Sequence, residues 1–233
     1  RIYQSTEMSM LKVQGANLHY ETFGTGPPLL LITGAGGNGS AWHPAAHFLS
    51  TSYTTICYDR RNYSSSNITG PQDYTNRLET DASDAATLIK HITPSHKAQV
   101  LGNSSGAIVG LHLLLNHPET VDLLIAHEPP AFSALPLEFR TEAEALLNHI
   151  YMQYRTLGPI SAMQEFTSNL DTGDEAELMR ELMHPAHNHA NTLFWFEFEL
   201  RQYPCADIDI ETLVALKDKL IPAAGEDSGM GVG

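Results

Sequence analysis

Through about residue 128, short apolar runs alternate with stretches of helical periodicity, which confines the chain to a mostly parallel sheet with crossover helices. The runs at 10–13 and 18–23 are separated by Gln14-Gly15-Ala16-Asn17, and Gly24-Thr25-Gly26-Pro27-Pro28 precedes a third run at 29–32. That third run has no polar alternation and reads as a strand buried on both faces. A helix at 42–49 and a β-branched strand at 53–58 follow. A longer helix at 74–92 carries Leu78, Ala82, Ala85, Leu88 and Ile89 on one side and stops before Pro94. A strand at 98–101, an apolar helix at 105–116 and a strand at 121–126 complete a β-α-β-α-β-α-β order.

From Pro129 to Pro204 the strand signal gives way to amphipathic segments at 138–154, 160–169, 175–183 and 192–203, and it returns at 219–224. Gly158-Pro159, Asp171-Thr172-Gly173-Asp174 and His184-Pro185 punctuate them. The expected organisation is a first part of the core at 1–128, an inserted helical cap at 129–204 and a return to the core at 205–233. A chain of 233 residues suits one such α/β domain, burying roughly 70% of its unfolded surface without disulfides. Cys57 lies in an apolar run and Cys205 follows Pro204, so no bridge follows from the sequence and a reduced, cytoplasmic setting is expected. The formal charge of −14 repels nucleic acid and anionic membrane surfaces. Residues 1–7 lack an apolar signal region, and no run approaches the ~18 residues of a membrane span. A processed leader ahead of Met8 is one reading of the Arg1 start.

The strongest chemical signal is Gly102-Asn103-Ser104-Ser105-Gly106, a G-x-S-x-G between the run ending at Leu101 and the helix that runs to Asn116. A serine hydroxyl is a poor nucleophile unless it is held exposed beside a base, and a sharp strand-to-helix turn provides the exposure. Glycines at 102 and 106 prevent collisions across that turn, and the first amide of the new helix faces the charge that forms. A turn that merely starts a helix is the competing explanation. The strand-turn-helix context favours Ser104 as nucleophile. A second signal, Thr33-Gly34-Ala35-Gly36-Gly37, follows the 29–32 strand, where amides of Gly34 or Ala35 together with Ser105 would form an oxyanion hole. The loop lacks the Lys-Ser/Thr ending of a phosphate-binding loop and sits on the third strand, not the first, so no cofactor is expected.

These motifs resemble the α/β-hydrolase superfamily over about residues 10–227. Tyr58-Asp59-Arg60-Arg61-Asn62-Tyr63-Ser64-Ser65-Ser66 is similar to the family's D-x-R-G-x-G-x-S loop, with Asn62 and Ser64 in place of glycines. In such enzymes Asp59 and Arg60 are structural. Leu113 to Val121, followed by Ala126-His127-Glu128-Pro129-Pro130, is similar to the zearalenone lactone hydrolases, and that resemblance makes Glu128 the acid of the triad. Most of the superfamily places the acid after the next strand, where Asp227 stands one residue out of register in Gly225-Glu226-Asp227. Both carboxylates stay open, with Glu128 favoured. The family's histidine follows the acid, and no histidine follows Asp227, so a further C-terminal segment is expected to supply it. His127 adjoins Glu128 on extended backbone and points away from it. His184, His187 and His189 form H-P-A-H-N-H, but Pro185 interrupts the spacing a metal would need, and no metal is expected. His91, His96 and His117 fall at helix ends, where the dipole favours them.

On the cap, Phe194, Trp195, Phe196 and Phe198 crowd one helical stretch, and with Tyr151, Met152 and Met163 they make an apolar pocket an even alternative to plain packing. The substrate expected is a medium-sized, largely apolar ester or lactone. Epoxide hydrolases and haloalkane dehalogenases resemble the family but carry Asp where Ser104 stands. A binding protein that keeps the pocket without the base, or a lyase or cyclase on the same fold, is the rival expectation. A small molecule is the partner implied, and homo-oligomerisation is left open.

Overall fold

A computed structural model of the chain describes residues 7–169 and 185–225. Eight strands form one mixed sheet: β1 (Glu7–Val13), β2 (Ala16–Phe23), β3 (Pro28–Ile32), β4 (Thr54–Tyr58), β5 (Asn67–Ile68), β6 (Ala98–Asn103), β7 (Val121–His127) and β8 (Leu220–Ala223). Their order is β1-β2-β4-β3-β6-β7-β8, with β5 beside β2. Pairings of β2 with β1, β4 and β5 are antiparallel, and from β4 across to β8 the sheet is parallel. The unbroken apolar run of β3 is explained by its central place: Leu30, Leu31 and Ile32 are fully buried, each worth about 1.5–3 kcal/mol in removed apolar surface.

Seven helices are described: α1 (His43–Leu49), α2 (Arg77–Ile92), α3 (Ser105–Asn116), α4 (Leu137–Leu157), α5 (Pro159–Ser168), α6 (Pro185–Phe198) and α7 (Ile210–Ala215). The stripe expected on α2, from Leu78 to Ile89, is buried. The helix starts at Arg77, later than its periodicity implies, because the Asp73 carboxylate accepts from the amides of Thr75 and Asn76 in a preceding turn. Helix α3 packs on β6, β7 and α2, which leaves no polar face. Its Gly110 lies so close to β7 that a Cβ there would sit 2.8 Å from Leu124 Cδ1. Helix α7 is capped by Asp209, whose Oδ1 accepts from the Thr212 amide at 3.0 Å; this D-x-x-T signal was legible, yet the sequence reading passed over it.

Between β7 and β8 lie α4, α5, α6 and α7, and the chain before α4 meets the chain after α6 where the Phe132 amide donates to Pro204 O at 3.0 Å. Helix α6 begins at Pro185, well before residue 192, and ends at Phe198. Proline fits a first helical turn because its missing N–H has no partner there to lose, and Pro185 opens α6 and does not interrupt a helix. The helix expected at 175–183 lies outside the described residues. Among the described residues no helix is long and apolar enough to cross a membrane. Cys57 and Cys205 are free thiols; burial, reinforced by Glu21 and Asp59, pushes Cys57 up to about 12.

The connection from β3 leads to β4 on one side, and the chain then crosses to β6 on the other. The loops leaving β3 and β6 thus emerge side by side at the carboxyl ends of these two strands, where the strand order reverses and parallel sheets bind ligands. Both glycine motifs emerge there.

Candidate active site

Ser104 stands between β6 and α3 with φ 51° and ψ −128°, a conformation costing a non-glycine residue about 1–3 kcal/mol. Neighbouring chain segments hold it there. Its amide donates to His127 O at 2.9 Å, and its carbonyl accepts from Ala107 N at 2.9 Å, starting α3. Only glycine fits on either side: a Cβ on Gly102 would lie 2.4 Å from Gly106 O, and one on Gly106 would lie 2.3 Å from Ile32 O. The turn leaves Ser104 half-buried and its successor, Ser105, buried at the head of the helix.

The loop after β3 lies directly against this turn, with Gly34 so near that a Cβ would be 3.0 Å from Ser104 Cβ. Of the three expected oxyanion donors, Gly34 is already engaged: its amide donates to Asn103 Oδ1 at 3.1 Å. That bond makes Gly34 a brace between the two loops.

Arg60 fixes this loop from beneath. Its Nε donates to Thr33 O at 2.9 Å and its Nη2 to Gly34 O at 2.7 Å, while Nη1 and Nη2 also reach Asp81 Oδ2 at 2.9 Å and Glu199 Oε1 at 2.7 Å. Arg77, Tyr63 and Tyr203 complete a buried cluster of two guanidinium groups and two carboxylates. Burial opposes the charge on Arg60, but Glu199, with Tyr63 and Asp81, holds its pKa well above the ordinary arginine value. Burial and then Glu199 push the Tyr63 hydroxyl in the same direction, so it stays a donor.

The structural role expected of Asp59 and Arg60 is what the geometry gives. Asp59 Oδ1 accepts from Gly39 N at 2.8 Å, and Oδ2 accepts from Ser65 N at 3.0 Å and faces His19 Nδ1 at 3.1 Å. Asn62 and Ser64, which replace the family's glycines, nevertheless adopt left-handed backbone at φ 63° and 49°. Asn191 of α6 supports Ser64, accepting from its amide at 2.9 Å and donating to its Oγ at 2.8 Å, and it also donates to Gly36 O at 3.1 Å. Sequence reasoning missed Asn191, Asp81 and Glu199; each lies far along the chain from the motif it holds, and no local spacing marks it.

Glu128 follows β7 with φ 49°, half-buried at the same sheet edge as Ser104. Its amide donates to Ala223 O at 2.8 Å, and its Oε1 accepts from Gly225 N at 2.8 Å. Asp227 lies outside the described residues. Among the described residues, no histidine is hydrogen-bonded to Ser104 or Glu128. His127 pairs with Asn103 in the sheet, His96 Nδ1 faces Lys90 O at 2.8 Å, and His117 Nε2 faces Ser83 Oγ at 3.2 Å. No metal-holding cluster occurs among the described residues.

The four expected pocket residues divide. Phe194 and Phe198 line a cavity of about 580 Å³ between α6 and the loop from Asn62 to Asn67. Trp195 is buried among α4, α5 and α6, edge-on to Phe166 and Phe196. Tyr151 lies under Arg201, 3.6 Å from its guanidinium carbon, and donates to Glu197 Oε2 at 3.2 Å. Phe194, Trp195 and Phe196 are all buried because α6 is enclosed by the core below and by α4 and α5 beside it.

A serine on a strained strand-to-helix turn at the switch point of a mostly parallel sheet defines the α/β-hydrolase fold, and the chain belongs to that family: its model, described as alpha/beta hydrolase fold, matches residues 27–159. The chain is 34% identical over 225 residues to YraK, an uncharacterized hydrolase of Bacillus subtilis (strain 168), covering 94% of this chain and 78% of that protein. Among solved structures, ALR0039 from Nostoc sp. PCC 7120 superposes with a TM-score of 0.69 at 21% identity, covering 95% of this chain and 81% of that one. A hydrolase from Pseudomonas aeruginosa PA01 superposes at 0.68 with 20% identity, over 95% and 81%. At these identities the two structures speak to the fold alone.

Proposed function

We propose that the protein is a serine hydrolase that cleaves a medium-sized, largely apolar ester or lactone through an acyl-enzyme on Ser104. The observation that carries this reading is the backbone of Ser104, held left-handed at φ 51° where a relaxed turn would serve equally well to start a helix. In this reading Ser104 Oγ attacks the substrate carbonyl carbon as its proton passes to an imidazole. The amides of Ala35 and Ser105 take the charge that forms on the carbonyl oxygen, one such donor being worth about 3–4 kcal/mol. Collapse of the tetrahedral intermediate breaks the C–O bond as the imidazolium returns its proton to the leaving oxygen, which departs as an alcohol from an ester and stays tethered in a lactone. Water, deprotonated by the same imidazole, then attacks the acyl-enzyme and frees Ser104. Glu128 holds the tautomer of that imidazole and stabilises its protonated form.

The similarity to YraK, itself named a hydrolase, supports the hydrolytic class. The lactone rests on the likeness of Ala126-His127-Glu128-Pro129-Pro130 to lactone hydrolases, and the apolar substrate on the run of aromatics Phe194, Trp195, Phe196 and Phe198. The cavity that Phe194 and Phe198 line is bounded by the 62–67 loop and not by Ser104. One observation favours a rival reading as a ligand-binding protein: among the described residues no histidine bridges Ser104 and Glu128. Turnover of an aryl ester separates the two. Hydrolysis that disappears in Ser104→Ala supports the enzyme, and tight apolar-ligand binding with no turnover supports the receptor.

A further inference from the structure

Both amides proposed to hold the oxyanion are tied, through a single atom, to the cap. Glu199 Oε1, in the turn after α6, accepts from Ser105 Oγ at 2.6 Å and from Arg60 Nη2 at 2.7 Å. The same Nη2 donates to Gly34 O at 2.7 Å. Gly34 O and Ala35 N–H belong to one planar peptide group, in which carbonyl and amide point in opposite directions. Holding that oxygen against Arg60 therefore turns the Ala35 N–H away from the guanidinium. Ser105 is anchored by its hydroxyl at the other end of the chain of bonds, and its own amide is the second donor.

We propose that Glu199 is a positioning residue that sets the separation and aim of the Ala35 and Ser105 amides, so that the oxyanion hole is assembled only when the cap is seated. The proposal rests on the serine-hydrolase reading. Burial makes the coupling stiff: Glu199 is 1% exposed and Arg60 fully enclosed, so neither side chain has water as an alternative partner. Glu199 Oε2 is held in turn by the Tyr63 hydroxyl, and Asp81 takes the remaining face of Arg60. Seating of the cap is reinforced by Asn191, which clamps Gly36 O of the same loop. A network of this kind acts on the transition state. The substrate carbonyl gains most of its need for the two amides as charge develops, so a displaced donor lowers kcat and leaves KM nearly unchanged.

The test uses p-nitrophenyl butyrate with the full chain, comparing wild type, Ser104→Ala, Ser105→Ala, Glu199→Gln and the double variant Ser105→Ala/Glu199→Gln. Ser105→Ala removes one hydroxyl and leaves Glu199 paired with Arg60 and Tyr63, so it keeps the fold even if Glu199→Gln does not. The expected result is a fall in kcat of about tenfold for Ser105→Ala with KM within about twofold and a cooperative melt lowered by only a few degrees, as for the loss of one buried hydrogen bond. Glu199→Gln is expected to lose at least as much, and the double variant no more than Glu199→Gln alone, because both changes break one chain of bonds. Turnover that depends on Ser104 but is unaltered in Ser105→Ala, altered only in KM, or lost additively in the double variant would overturn the positioning role alone. Turnover that survives Ser104→Ala would overturn the hydrolase reading and this proposal with it.

Discussion

Ser104 and Glu128 both take positive φ, 51° and 49°, where the chain leaves adjacent parallel strands, and the Ser104 amide donates to the carbonyl of the residue before Glu128 at 2.9 Å. Neighbouring strands lie about 4.8 Å apart, so the two residues leave the same rim of the sheet. In the proposed reading an imidazole ring bridges the Ser104 hydroxyl and the Glu128 carboxylate. Glu128→Gln keeps an acceptor for the Gly225 amide and so keeps the fold, but it favours the wrong tautomer of the ring. A loss on the order of 10⁴-fold in kcat is expected, as for the acid of a serine-protease triad. Asp227→Asn is expected to lose far less. Steady-state kinetics on both variants decide the matter, and the reverse order of damage would move the acid to Asp227.

The elbow also governs stability. An alanine Cβ at Gly106 would sit 2.3 Å from Ile32 O and 2.7 Å from Thr33 C, backbone against backbone, so no side-chain rotation relieves it. Gly106→Ala is expected to destabilise the fold by about 3 kcal/mol. Gly158→Ala, where a Cβ meets nothing within 4 Å and only the φ of 89° is strained, is expected to lose about 1 kcal/mol. Urea unfolding of the two variants checks the difference, and equal midpoints would contradict it.

How much of this was legible in the sequence depended on how local each cause is. The G-x-S-x-G placed Ser104, and the stripe on α2 placed its buried face, because each pattern lies within one element and its neighbours. The loop after β3 was legible as a glycine cluster, but the engagement of the Gly34 amide was not: it depends on the side chain of Asn103, 69 residues away. Trp195 reads as a pocket residue because helical geometry disperses consecutive aromatics, but the exposed side of α6 falls at His189 and Ala190 and leaves Trp195 packed against Phe166 and Phe196. Glu199 carried no signal at all. A glutamate at the end of an aromatic helix reads as a solvated charge until the fold brings Arg60 and Ser105 to it.

His112 makes stability depend on pH. Its ring is buried on α3, Nε2 has no hydrogen-bond partner among the described residues, and burial lowers its pKa more than Glu79 at 3.7 Å raises it. As pH falls below the ordinary histidine value of about 6.5, the unfolded chain takes up a proton before the folded one does. The stability this group contributes is therefore present above pH 6.5 and is lost as pH falls through the depressed folded value. Leucine at this position cannot titrate. Urea melts at pH 7.5 and 5.5 are expected to show wild type losing more stability on acidification than His112→Leu, and parallel losses would contradict the neutral, buried ring.

The central claim is that Ser104 is the nucleophile, and covalent capture tests it most directly. Treatment of the native protein with an alkyl fluorophosphonate, followed by intact-mass and peptide mass spectrometry, is expected to give one adduct on the peptide carrying Ser104. That adduct should be absent after prior denaturation and absent in Ser104→Ala, which should also lose ester hydrolysis. Labelling of a different residue, or aryl-ester turnover surviving in Ser104→Ala, would contradict the assignment.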